Sequence, residues 1–83
     1  MTYSELYAFR IKQLCLKNGI TINRLTVLSG LKQSTIDNII HGTSKNPKVR
    51  TLHKIATVFE MTLSEFLDYP ELNEYSIDDE EDE

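Results

Sequence analysis

The sequence has a single cysteine and no long hydrophobic run, and each of these two features excludes a class of protein. The single cysteine, Cys15, cannot form an intramolecular disulfide, and with only two histidines it does not give the spacing of a zinc site. No run of about 18 apolar residues is present, so no membrane span is expected. The N-terminal region lacks the basic segment and following apolar stretch of a signal peptide. We therefore expect a cytoplasmic protein without membrane span, metal or cofactor.

Side chains arranged for catalysis are also missing. An enclosed hydrolytic site needs a nucleophile, a base and an orienting group, and the sequence suggests no such set. The 83 residues, of which 40% are hydrophobic, suffice for one small core but not for a large catalytic cleft. An enzyme is therefore not expected.

The charge is divided unevenly along the chain, whose net charge is -4. Residues 1–67 contain all nine basic residues and four acidic ones, whereas residues 68–83 contain nine acidic residues and no basic one. This asymmetry is typical of a basic nucleic-acid-binding body with an acidic tail. We predict a folded domain over residues 1–69 and an acidic, disordered tail over residues 70–83.

Apolar spacing and capping residues predict five helices and no strand. Capping boxes at residues 2–5 (TYSE) and 62–65 (TLSE) indicate the starts of the first and fifth helices. Thr21 can cap the second helix, residues 33–41 form the third, and Pro47 stands at the threshold of the fourth. The predicted fold class is all-α, a compact five-helix domain.

The third predicted helix has one apolar and one polar face. Ile36, Ile39 and Ile40 recur at helical spacing and define its buried side. Before it, Gly30 permits the positive φ that a tight turn between two helices needs. The outward side then carries the polar residues Gln33, Ser34, Asp37, Asn38 and His41. Such amide, hydroxyl and carboxylate groups can bond to base edges in the major groove of DNA.

Together these segments resemble the Cro/cI-type helix-turn-helix family, the lambda-repressor-like domains. The resemblance covers roughly residues 9–69, and the segments 52–56 (LHKIA) and 63–67 (LSEFL) are similar to the fourth and fifth helices of that family. The helix-turn-helix positions that fit are Leu25, Gly30, Ile36 and Ile39. The resemblance implies a lambda-repressor-like fold whose third helix enters the major groove.

The resemblance also implies two groups of DNA contacts. The base-reading group, taken together with the outward face of the third helix, is Lys32, Gln33, Ser34, Asp37 and Asn38. The phosphate-binding group is Thr21, His41, Lys45, Lys48 and Arg50. Phosphate contacts position a protein on DNA, whereas the base contacts specify sequence.

Lys32 is unusual because it falls near the N-cap of the third helix, where a cation opposes the helix dipole. A Ser, Thr, Asn or Asp at this position would stabilise the helix by about 1 kcal/mol. A contact from Lys32 to phosphate or guanine would compensate, and a solvated lysine is the alternative.

The sequence therefore predicts a sequence-specific regulator of transcription that binds double-stranded DNA, with a repressor as the expected kind. Family members usually bind palindromic operators as dimers, so we expect a homodimer on DNA. The alternative is an antitoxin-like or adaptor module that holds a protein partner through the same fold and the acidic tail. The tail itself could be a solubilising terminus or could compete with DNA for the basic residues.

Overall fold

The structure is a computed structural model that describes residues 2–79. This part of the chain forms six α-helices and one short 3₁₀ helix, and no strand is found among these residues. The helices are α1 (Tyr3–Asn18), α2 (Ile22–Ser29), α3 (Gln33–Ile40), α4 (Val49–Val58), α5 (Leu63–Leu67) and α6 (Pro70–Asn73), and the 3₁₀ helix is Ile77–Asp79. Within residues 2–79, no helix combines the length and the apolar character needed to cross a membrane.

Threonines begin three of the helices, as predicted. At α1 the Glu5 amide donates to Thr2 Oγ1 over 3.2 Å, and the Thr2 amide donates to the Glu5 carboxylate over 3.0 Å. Thr62 and Glu65 form the same reciprocal capping box at α5. Thr21 caps α2 by accepting the Arg24 amide over 3.0 Å. These side chains satisfy amides that have no partner within the first turn of a helix.

The turn from α2 to α3 is short and is held by two neighbouring residues. Gly30 adopts a φ of 70°, a left-handed conformation that costs glycine little. The Ser29 hydroxyl donates to the Thr26 carbonyl over 3.0 Å and accepts the Leu31 amide over 3.3 Å. This turn sets the direction in which α3 leaves α2.

A single hydrophobic core joins the first five helices. α1 packs against α3, and α4 packs against both α2 and α5. Cys15 lies in this core, where burial raises the pKa of its thiol. The buried residues of the core are Ile11, Leu14, Cys15, Leu25, Ile36, Ile39, Leu52, Ile55, Ala56 and Phe66.

The C-terminal segment corrects two expectations. The count of five helices was wrong, because Pro70 does not end the helical part of the chain but begins α6. A proline suits the first position of a helix, since its fixed φ is helical and its missing N–H has no partner there. Disorder from residue 70 onwards was therefore wrong for residues 70–73. The predicted disorder of residues 80–83 lies outside the described residues.

Two tyrosines hold this segment against α1. Tyr69 is 3% exposed, and its hydroxyl donates to the Leu6 carbonyl over 2.9 Å. The ring of Tyr75 meets that of Tyr3 edge-on, with 5.2 Å between centroids. The predicted boundary after residue 69 thus falls inside a packed part of the chain.

Candidate nucleic-acid interface

α3 presents the two faces that its sequence predicts. Ile36 and Ile39 are at most 1% exposed, and Ile40 is half-buried against the core. The helix ends at Ile40, one residue earlier than predicted, with His41 as its C-cap. On the opposite side, Lys32, Gln33, Ser34 and Asn38 are exposed and Asp37 is half-buried.

Two of the predicted base-reading residues are hydrogen-bonded to each other. The Gln33 Nε2 donates to Asp37 Oδ1 over 2.9 Å. Residues four apart in a helix lie one above the other, so this pair spans one turn of the exposed face of α3. The amide of Gln33 retains its second N–H and its carbonyl oxygen, which are the two groups that a bidentate contact with adenine requires.

Asn38 connects α3 to the loop that follows it. The amides of Thr43 and Ser44 both donate to the Asn38 carbonyl, over 2.9 and 3.0 Å. The Thr43 hydroxyl is shared between that carbonyl and Asn38 Oδ1, at 3.1 and 3.2 Å. The Asn38 side chain therefore accepts a hydrogen bond from the loop through its oxygen, and it remains exposed to solvent. Sequence reasoning missed Thr43, because nothing in the pattern shows how the loop turns back onto the helix.

Lysines occupy the N-caps of the two helices that border this loop. Lys32 precedes α3, as predicted, and Lys48 precedes α4, and neither side chain makes a capping hydrogen bond. The starts of α1, α2 and α5 differ, since a threonine caps each of them. The first amides of α3 and α4 are thus left without a side-chain acceptor, at the positive end of a helix dipole. Such a helix end attracts phosphate.

A polar cleft of about 280 Å³ lies between α3 and the start of α4. It brings Asn38, from the predicted base-reading group, beside Lys48, from the predicted phosphate-binding group. The other lining residues are Thr35, Ile39, Ser44, Asn46, Pro47 and Thr51. Apart from Ile39 and Pro47, all of these can donate or accept hydrogen bonds.

The remaining predicted phosphate contacts are exposed but belong to separate elements. Thr21 is the N-cap of α2, His41 follows α3, Lys45 lies in the loop and Arg50 lies in the first turn of α4. None of these four lines the cleft. The Thr21 oxygen accepts the Arg24 amide, which leaves its hydroxyl hydrogen able to donate to a phosphate.

A short turn joins α2 to α3, and α3 has a buried apolar side and an exposed polar side. This arrangement defines a helix-turn-helix DNA-binding domain. Residues 10–71 match the family of Cro/C1-type HTH DNA-binding domains, and the chain belongs to this family. The predicted resemblance is thereby confirmed. Domains of this family bind double-stranded DNA.

Two individual proteins show how far the similarity extends. Over 52 residues the chain is 36% identical to the HTH-type transcriptional regulator SlrR of Bacillus subtilis (strain 168), a match that covers 63% of this chain and 34% of that protein. The chain thus spans about a third of the length of this relative. Its fold is similar to the crystal structure of the prophage Lp1 protein 11, with a TM-score of 0.81 and 32% identity over 90% of this chain and 99% of the other.

Proposed function

We propose that this domain is a sequence-specific repressor that reads an operator in the major groove with α3. The observation that carries the proposal is the exposed polar face of α3 beside the starts of α3 and α4, where a lysine stands at the N-cap and makes no capping hydrogen bond. A recognition helix needs side chains for base edges and nearby cations for the backbone, and this surface supplies both.

Base reading is assigned to one side of α3. The Gln33 and Asn38 amides are suited to adenine, Ser34 can donate or accept, and Lys32 can reach guanine or the phosphate next to it. The proposed base-reading face of α3 comprises Lys32, Gln33, Ser34, Asp37 and Asn38. Each well-formed bidentate contact discriminates against the wrong base by about 1–3 kcal/mol.

Phosphate binding is assigned to the residues around this face. Lys48 and the first amides of α4 form one such site at the mouth of the cleft, and Lys32 with the first amides of α3 forms a second. The proposed phosphate-binding residues are Thr21, His41, Lys45, Lys48 and Arg50. Their role is to set the position of α3 over the bases.

We further propose that two copies bind a palindromic operator, with half-sites about one helical turn apart. Two recognition helices double the number of specific contacts, which is how a small domain with few base contacts achieves affinity for one site. Occupying an operator that overlaps a promoter suffices to repress transcription. Because the proposed ligand is genomic DNA, the proposal also places the protein in the cytoplasm.

Selection from a random pool of duplex DNA tests the proposal. Enrichment of one palindrome is expected, and the Gln33→Ala variant should lose preference at one base pair of each half-site. Ser64→Ala is a matched control, because Ser64 is also exposed but lies on α5. Failure of the unaltered protein to enrich any sequence would contradict sequence-specific binding. Repression is then tested with a reporter gene whose promoter contains the enriched site.

The antitoxin-like or adaptor alternative is not favoured by the comparisons. A protein partner for the acidic tail stays a prediction. It is tested by whether a protein co-purifies with the full chain and is lost when residues 78–83 are removed.

A further inference from the structure

The hydrogen bond between Gln33 and Asp37 lies in the middle of the proposed reading face. The two side chains are 2.9 Å apart from Nε2 to Oδ1, and they belong to one helix and one turn. Gln33 is exposed to solvent, whereas Asp37 is half-buried. Asp37 is thus the more constrained of the two partners.

The chemistry of the two groups determines which way the Gln33 amide turns. The terminal amide of a glutamine in water can rotate by half a turn at little cost, so that its oxygen and nitrogen atoms exchange positions. An ionised carboxylate only accepts hydrogen bonds, so a partner like Asp37 admits the nitrogen of Gln33 and excludes the oxygen. The bond therefore selects one of the two amide orientations.

That orientation matters for reading a base. Adenine offers N7 as an acceptor and N6 as a donor, so a glutamine must present its N–H and its carbonyl oxygen to adenine in one order. With one N–H engaged by Asp37, the second N–H and the oxygen remain available in a single arrangement. Ordering a glutamine before binding also reduces the rotamer entropy that binding would otherwise lose.

The negative charge of Asp37 also indicates that this residue has a specific function on α3. Of the four acidic residues in residues 1–67, Glu5 and Glu65 are engaged in the capping boxes of α1 and α5, and Glu60 follows α4. Only Asp37 of these four lies on α3. A carboxylate near DNA phosphates is repelled, so a function for Asp37 must outweigh that repulsion.

We propose that Asp37 is a positioning residue that holds the Gln33 amide in the orientation that selects adenine, and is not itself a reader of cytosine. The inference rests on the proposed function of α3. It predicts that Asp37 affects the base pair that Gln33 reads, and no other.

The experiment compares two substitutions of Asp37. Asp37→Glu keeps a carboxylate that only accepts hydrogen bonds, whereas Asp37→Ala removes the acceptor. For each variant, the dissociation constant is measured on the selected operator and on operators carrying each base change in one half-site. Asp37→Ala should reduce discrimination at the Gln33 base pair about fivefold, the equivalent of one hydrogen bond, and Asp37→Glu should preserve it.

A second comparison uses the Gln33→Ala background. There the Asp37→Ala and Asp37→Glu proteins should have the same base preferences, because the group that Asp37 positions is absent. Equal discrimination by Asp37→Ala and Asp37→Glu in the otherwise unaltered protein would overturn the inference. So would a change of preference at a different base pair, which would make Asp37 a direct reader.

The hydrogen bond is also measured without DNA, from the side-chain amide resonances of Gln33. We expect slow hydrogen exchange of one Gln33 amide proton in the unaltered protein and in Asp37→Glu, and faster exchange in Asp37→Ala. If exchange is as fast in the unaltered protein as in Asp37→Ala, the positioning role is wrong even where the operator is bound. If the protein selects no DNA sequence, the proposed function fails and the inference fails with it, whatever the exchange data show.

Discussion

The guanidinium of Arg10 lies over the ring of Tyr69, with 4.9 Å between Cζ and the ring centroid. From this position Arg10 Nε donates to the Phe66 carbonyl over 2.9 Å, and Nη2 donates to the Glu65 carbonyl over 3.0 Å. At the C-terminal end of α5, Arg10 satisfies the Phe66 carbonyl and adds a second donor to the Glu65 carbonyl, which also accepts the Asp68 amide. The cation also complements the helix dipole. One side chain of α1 therefore fastens both α5 and the start of α6.

Replacing Arg10 with methionine should lower the free energy of unfolding by about 2 kcal/mol. The change retains much of the apolar stem but removes the charged hydrogen bonds and the contact with the Tyr69 ring. Chemical denaturation measures the loss. Lys12→Met is the control, since Lys12 is exposed on the same helix and its replacement should change stability by less than about 0.5 kcal/mol. Equal effects of the two changes would contradict the role of Arg10.

Tyr69→Phe should lower the free energy of unfolding by about 1 kcal/mol at neutral pH, because it removes the hydrogen bond to Leu6. Burial raises the pKa of the Tyr69 phenol above its ordinary value of 10.0. A raised pKa means that the stabilisation is complete below about pH 10 and is lost as the pH rises further. The difference between the two proteins should therefore shrink in alkali, as denaturation at a series of pH values will show. A constant difference above pH 10 would contradict this.

The two capping boxes should make the stability of the protein depend on pH in the acidic range. Hydrogen bonds from Thr2 and Thr62 lower the pKa of Glu5 and of Glu65 below the ordinary value of 4.5. A lowered pKa means that the stabilisation is present above pH 4.5 and is lost as the pH falls through the folded-state value. Melting temperatures of the Glu5→Gln/Glu65→Gln protein should accordingly fall less in acid than those of the unaltered protein. Glutamine can still close a capping box, so folding is retained. If the melting temperatures of the two proteins fell equally with decreasing pH, the two glutamates would not contribute to the acid dependence of stability.

Lys32→Ser should have opposite effects on folding and on DNA binding. A serine at the N-cap of α3 can accept an amide of the first turn, so the free energy of unfolding should rise by about 1 kcal/mol. Loss of a phosphate contact should weaken operator binding and reduce the slope of log affinity against log salt by about 1. Lys12→Gln, an exposed change in the middle of α1, should alter neither quantity. Unchanged binding of Lys32→Ser would leave Lys32 as a solvated lysine.

A chain that ends at residue 77 should bind DNA more tightly than the full chain at low salt. The deletion removes six consecutive acidic residues but retains Tyr69 and Tyr75, which pack against α1. Repulsion between like charges is screened as salt increases, so the gain in affinity should diminish at physiological ionic strength. Equal affinities at low salt would favour a solubilising role for the tail.

Helix starts and the faces of α3 could be predicted from the sequence because their causes are local. The capping threonines Thr2, Thr21 and Thr62 bond to amides three residues away, and the three isoleucines of α3 lie within two turns. The prediction failed at Pro70, which was interpreted as an end. A proline suits both the residue after one helix and the first residue of the next, and only the packing of Tyr69 distinguishes the two.

The sequence by itself determined the family, the five helices of the core and the exposed polar face of α3, because apolar period and capping act over a few residues. Only the tertiary structure decided how residues distant in the chain meet. Tyr69 bonds to Leu6 across 63 positions, and Arg10 bonds to Phe66 across 56. In the candidate interface it also decided that Thr43 returns to Asn38. The path of a loop and the rotamers of its side chains depend on neighbours that a residue pattern does not specify, so this contact appears only once the chain is folded.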